Sequence, residues 1–181
     1  MSKKIVCLGW GSLIWDPREF RDFLRSQWFS DGPALPVEFT RISGDQRVTL
    51  IIDQEAVPVA TLWTEVNVES LDHAKEALMN REGTIPKHIH HIGIYEQADN
   101  IIDTSVKAWI QERGFDYAMW TGLSYSKASN GKRPPIEFVL SHLEGLDLPK
   151  RRTAFEYIKK APKQINTEYR RAIVKAFGLD N

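Results

Sequence analysis

The sequence predicts an α+β protein, with a small, mostly antiparallel β-barrel or curved sheet packed by flanking helices. Three observations point there. Short apolar runs of strand length crowd the first two-thirds of the chain. Helical stretches are inserted among them without the regular βαβ alternation of a doubly wound sheet. The last third reads as helix throughout. The 181 residues fit a single domain, 1–181, in which 133–181 form a helical C-terminal portion.

Each element has its own signal. Lys3–Leu8 carries the apolar run of a buried strand, ended by Gly9 and Gly11. Asp16-Pro17 opens a short helix through Arg25, with Asp16 as cap and Pro17 at its first position. Val37–Ile42 and Arg47–Ile52 form a hairpin around Ser43-Gly44-Asp45. Val57–Val66 is a third extended run. Over Val68–Arg81 the stripe Leu71, Ala74, Ala77 and Leu78 predicts a helix terminated by Gly83. His88–Tyr95 reads as a strand, Ile101–Arg113 as a helix ending at Gly114, and Tyr117–Thr121 as a short strand. Pro134-Pro135 starts a helix that Gly145 stops. Leu148–Ala161 gives another, and Asn166 caps a last one closed by Gly178. Phe155, Tyr157 and Ile158, then Ile165, Tyr169, Ile173 and Phe177, are spaced for packing, with the interleaved Lys and Arg expected on the surface.

Composition narrows the function classes. Hydrophobic residues make up 42% and charged residues 27%, enough to bury a core without disulfides or metals. The single cysteine, Cys7, excludes an internal disulfide framework and a Cys-rich zinc site. No apolar run approaches the ~20 residues of a membrane span. The start MSKKIVCLGW is a poor signal peptide, so the cytoplasm is the default location. Net charge is zero, against a dedicated nucleic-acid binder. The charge is uneven: Lys127–Asn181 holds 12 basic and 6 acidic residues, a net of +6. That is either a set of solvated helix faces or a basic flank for an anionic substrate or partner.

Two segments can carry chemistry. In Gly9–Trp15 (GWGSLIW) a strand runs into a loop with two glycines and Ser12. Glycines allow close backbone approach, and successive amides make an anion-binding nest. A dinucleotide fingerprint would need glycine at Ile14, and a nucleophile elbow around Ser12 would need glycines at Trp10 and Ile14. The loop is therefore a structural turn or a ligand loop of another kind. The second segment is Asn80-Arg81-Glu82-Gly83. A carboxylate at a helix C-terminus meets the negative end of the dipole, and there it holds a proton more readily. Glu82 is thus a general-base candidate or an exposed acid in a frayed turn.

GWGSLIW resembles the Y-G-S-L loop that follows the first strand in the γ-glutamylcyclotransferase-like superfamily, which includes the ChaC-type glutathione-degrading enzymes. Leu71–Gly83 (LDHAKEALMNREG) is similar to that family's helix, which ends in an E-G-like turn bearing its glutamate. The resemblance is specific over Ile5–Asp16, moderate over Val57–Thr84 and weak elsewhere. It implies a small barrel or strongly curved sheet. It also implies a reaction in which the α-amine of a γ-glutamyl group attacks its own γ-carbonyl, releasing 5-oxoproline and an amine. Glu82 takes the role of base and then acid, and Trp10, Gly11, Ser12 and Leu13 cradle the γ-glutamyl group. No metal or organic cofactor is implied. The family's tyrosine is replaced by Trp10, which keeps an aromatic wall without the phenol. The alternative is a non-catalytic small-molecule binding or regulatory module on the same fold. A third reading is an interaction protein that uses the basic C-terminal helices.

Other residues have weaker claims. His88, His90 and His91 form an H-x-H-H cluster in which His88 and His90 share a strand face able to bind Zn²⁺; pocket lining and ordinary sheet residues are the alternatives. Trp120 reads as core and Thr121 as a strand-end residue able to line a pocket. Arg41 and Arg47 are expected on the surface, with bidentate binding of a substrate carboxylate as the alternative. Tyr125 is a candidate for the missing phenol. Cys7 is expected to be a buried small hydrophobe rather than a nucleophile.

Overall fold

A computed structural model describes residues 3–83, 92–94 and 101–179. The chain is α+β, as expected. The strands are β1 (Ile5–Gly9), β2 (Ala34–Leu35), β3 (Val37–Ile42), β4 (Val48–Ile52), β5 (Val59–Ala60), β6 (Leu62–Val66), β7 (Ile92–Ile94) and β8 (Tyr117–Thr121). The helices are α1 (Leu71–Glu82), α2 (Ile101–Arg113), α3 (Ile136–Gly145), α4 (Leu148–Lys160) and α5 (Glu168–Phe177). Contacts divide the chain into two compact units. One comprises Met1–Gly9, Leu13–Leu35 and Ala60–Leu123; the other comprises Trp10–Ser12, Pro36–Val59 and Ser124–Asn181.

The first unit is built on a four-stranded sheet in the order β6-β1-β8-β7. Every residue of β1 is buried, as a central strand with both faces covered requires. It runs antiparallel to β6, from Ile5 opposite Val66 to Gly9 opposite Leu62, and parallel to β8, with Cys7 opposite Met119. β7 is antiparallel to β8. The sheet is therefore mixed and open; among the described residues no strands close into a barrel. Gly9 is dictated by space: a Cβ there would lie 2.6 Å from the Trp28 ring. α1 lays Ala74, Ala77, Leu78 and Met79 on Ile5, Cys7 and Met119. It begins at Leu71 rather than Val68 because the Ser70 hydroxyl caps it, accepting from the His73 amide at 3.2 Å. Gly83 closes it at φ 64°, the left-handed conformation expected of its terminator.

Two further boundaries depart from expectation here. Asp16 caps no helix. Arg18–Phe23 is a 3-10 turn preceded by Pro17, and the Asp16 carboxylate lies 3.5 Å from Arg18 instead of reaching a backbone amide. The run Val57–Val66 is split at Thr61, whose Oγ1 donates to the Pro33 carbonyl at 2.7 Å. Of the predicted strand His88–Tyr95, only 92–94 fall within the described residues.

In the second unit β3 and β4 form the expected antiparallel hairpin, from Val37 opposite Ile52 to Ile42 opposite Val48, with a bulge between Glu38 and Arg41. α4 packs on β4 and α5 on β3. The predicted apolar positions do the packing: Tyr157, Ile158, Ile165, Tyr169 and Ile173 are buried, and the Phe155 and Phe177 rings meet at 5.1 Å. The cap of α5 is Thr167, not Asn166. The Thr167 hydroxyl accepts from the Arg170 amide and donates to Glu38 Oε1, while Glu38 Oε2 accepts from the Tyr169 amide at 3.1 Å. Glu38 is 1% exposed. A buried carboxylate from β3 thus satisfies the positive end of α5.

Candidate functional site

Glu82 is the last residue of α1, and the first unit holds its carboxylate from two directions. Arg81 Nη1 donates to Glu82 Oε1 at 2.6 Å, and Thr121 Oγ1, at the end of β8, donates to the same oxygen at 3.1 Å. Oε2 accepts from no described residue. The Glu82 side chain is 13% exposed and that of Arg81 6%. Arg81 is itself anchored: its Nε and Nη2 donate to the Asp16 carbonyl at 3.2 and 2.6 Å, just beyond the GWGSLIW segment. Arg18 in turn donates to the Arg81 carbonyl at 3.3 Å. Glu82 is thus a positioned carboxylate, with one oxygen engaged and the other without a donor among the described residues, rather than an acid in a frayed turn.

Cys7 reports the same charges. Its side chain is fully buried. Burial pushes the thiol pKa up, the Glu82 charge adds to that, and Arg81 offsets part of it. A thiol held protonated in the core is the small hydrophobe expected, not a thiolate nucleophile.

The loop residues are distributed. Trp10, Gly11 and Ser12 belong to the second unit and Leu13 to the first. Trp10 and Leu13 are each 5% exposed, and Leu13 joins the core around Phe20 and Leu78. The amides of Gly11 and Leu13 donate to no backbone carbonyl among the described residues. Gly11 is required by a close neighbour: the Tyr157 hydroxyl of α4 lies 2.6 Å from where a Cβ would stand. The phenol at this loop therefore comes from Tyr157. Tyr125 is committed elsewhere: its hydroxyl donates to Asp53 Oδ1 at 3.0 Å, and Arg133 Nε holds Oδ2 at 2.9 Å. Burial, followed by the charge of Asp53, pushes the Tyr125 pKa up. Tyr157 sits on a helix whose spacing marks it only as core, so its approach to Gly11 had no sequence signal.

The remaining candidates fall as follows. Arg41 and Arg47 are half-buried rather than exposed, because they lie on the hairpin shoulders. Arg47 pairs with Asp45 at 2.7 Å and covers the Tyr157 ring at 5.3 Å. Trp120 is buried, as expected. His88, His90 and His91 lie outside the described residues. Among the described residues no cluster of His, Cys, Asp and Glu is arranged to hold a metal ion, and no helix is long and apolar enough to cross a membrane. Comparison with family models, curated proteins and solved structures returns no match.

Proposed function

We propose that the chain is a γ-glutamyl cyclotransferase that releases 5-oxoproline and an amine from a small γ-glutamyl compound, with the fold of that superfamily and a place in the cytoplasm. The observation that carries this reading is the Glu82 carboxylate, pinned through Oε1 by Arg81 and Thr121, with Oε2 accepting from no described residue. A substrate α-ammonium must lose a proton before its nitrogen can attack. A carboxylate oxygen free to accept that proton, on a side chain that cannot swing away, is what the step needs. The deprotonated nitrogen then forms the new C–N bond at the γ-carbon, giving a tetrahedral oxyanion. As the original C–N bond breaks, the protonated Glu82 delivers its proton to the departing nitrogen, and the carboxylate so regenerated takes the second proton from the new ring nitrogen and passes it to the released amine or to solvent, leaving a neutral lactam. Because nucleophile and electrophile belong to one molecule, holding a folded conformer supplies much of the rate. Trp10–Leu13 take the substrate-holding role by their likeness to the family loop, and amides that, like those of Gly11 and Leu13, donate to no backbone carbonyl among the described residues are suited to a carboxylate or an oxyanion.

The test is incubation with a panel of γ-glutamyl amines and peptides, glutathione included, followed by detection of 5-oxoproline. Turnover by the wild-type chain that Glu82→Gln abolishes supports the reading. Silence across the panel moves the assignment to a binding module, and full activity in Glu82→Gln removes Glu82 from the chemistry.

A further inference from the structure

The second unit contains a cavity of about 240 Å³ where the α4–α5 connection meets α5, lined by Lys163, Asn166, Arg170, Arg171 and Val174. Three of these five residues are cationic and none is acidic. Arg170 was expected on the surface with its basic neighbours, yet it is 4% exposed. Its guanidinium donates to the carbonyls of Ala161 at 2.8 Å, Pro162 at 2.6 Å and Ile165 at 2.9 Å. A guanidinium carries five N–H donors, so part of the fork remains beyond these three bonds.

The contrast with Arg81, the other buried arginine among the described residues, and with half-buried Arg133 gives the cavity its meaning. Arg81 has Glu82 at 2.6 Å and Arg133 has Asp53 at 2.9 Å. Arg170 has carbonyl dipoles but no carboxylate among the described residues, and burial alone sets its pKa, downward. A buried charge is ordinarily paired. Lys163 and Arg171 are exposed and pair with no carboxylate among the described residues either; Arg171 Nη1 donates to the Asn166 carbonyl at 2.6 Å. The Tyr169 and Arg170 amides near the start of α5 take no part, since Glu38 and Thr167 already hold them.

We propose that this cavity is a binding site for a small phosphate-bearing anion, with Lys163 and Arg171 gripping it at the mouth and Arg170 supplying the buried positive charge. Three cations without an acid suit a group of charge about −1.5 to −2 better than a lone carboxylate. Arginine forks match its oxygens geometrically. The volume lies below the range of about 300–1,000 Å³ typical of drug-sized ligands, which restricts the occupant to orthophosphate or a small phosphomonoester. The site is independent of the cyclotransferase reading and is tested without an activity assay.

The test is calorimetric titration of the full chain with orthophosphate, ionic strength held constant with chloride. The variants are Lys163→Ala/Arg171→Ala and the distant control Lys132→Ala, with Arg170 left intact because it also ties the α4–α5 connection. Expected are saturable binding to wild type and control, and binding at least tenfold weaker in the double variant. An unchanged melting temperature in phosphate-free buffer verifies that the double variant is folded. O-phosphoethanolamine forms a second arm. Binding with the same variant dependence extends the site to esterified phosphate, and failure beside good orthophosphate binding restricts it to the free ion. The proposal is overturned if wild type and double variant bind phosphate equally, or if anionic vesicles bind while orthophosphate does not.

Discussion

On the proposed reaction, the Glu82 carboxylate separates holding from proton transfer. Glu82→Gln keeps the shape and most polar contacts but cannot take the amine proton, so turnover should fall by about 10²-fold or more while the melting temperature barely moves. Glu82→Asp should also be poor, because withdrawing the carboxylate by one methylene misaligns the attack and loosens the Thr121 contact of 3.1 Å. Ser12→Ala should act on the other side of the split, raising KM more than it lowers kcat. The supporting arginine has a different signature. Arg81→Met removes the cation from a largely buried pair and leaves the Asp16 carbonyl without its two donors. Thermal or urea unfolding should register a loss of about 3 kcal/mol. Glu82 was legible because its position depends on neighbours in sequence: an apolar stripe and a terminating glycine. Its partners were not. Thr121 lies 39 residues away and the Asp16 carbonyl lies 65 from Arg81, and no local pattern encodes either pairing.

Among elements, the sharpest coupling joins the Trp10–Ser12 turn to α4. A methyl on Gly11 would collide with the Tyr157 hydroxyl at 2.6 Å, whereas the next ring atom, Cζ, stands at 3.7 Å, an ordinary contact. The ring cannot easily retreat, being set edge-on to Phe39 at 6.3 Å and covered by Arg47. Gly11→Ala should therefore cost about 1–3 kcal/mol, the scale of overpacking. Tyr157→Phe should recover part of that loss, giving a coupling in a double-mutant cycle that additive variants would lack. Elements with strong local signals emerged where expected: Ile101–Arg113 and Tyr117–Thr121 keep their predicted limits. Errors gathered at ends, where two residues compete for one job. Asn166 and Thr167 are both good caps, and the choice of Thr167 follows from Glu38, 129 residues distant, bonding its hydroxyl. Likewise the +6 charge of the C-terminal stretch reads as solvated face everywhere. Only the carbonyls of Ala161, Pro162 and Ile165 explain why Arg170 turns inward.

At the scale of the whole molecule, Glu38 links pH to folding. Burial raises its pKa above the ordinary value of 4.5, more than its hydrogen bonds lower it. The folded chain then binds the Glu38 proton more tightly than the unfolded chain does. This contribution to stability is complete below the unfolded value and is lost as pH rises through the folded one. Urea melts from acidic to neutral pH should show wild type losing ground to Glu38→Gln as pH climbs; a difference independent of pH would contradict the assignment. The α+β class was readable from strand-length runs early and helices late, whereas the mixed sheet was not. Parallel pairing of β1 with β8 joins residues over 110 positions apart, and an all-buried strand looks the same with either neighbour direction. The interleaving of the two units also matters for anyone cutting the gene. Because the β3–β4 hairpin precedes residue 124 while α4 and α5, which cover it, follow, a break after Leu123 strands each half of one core on a different polypeptide. Co-expressed as 1–123 and 124–181, the halves should behave as complementing fragments, each poorly soluble alone and restored together. The same position offers a natural splice for a split reporter.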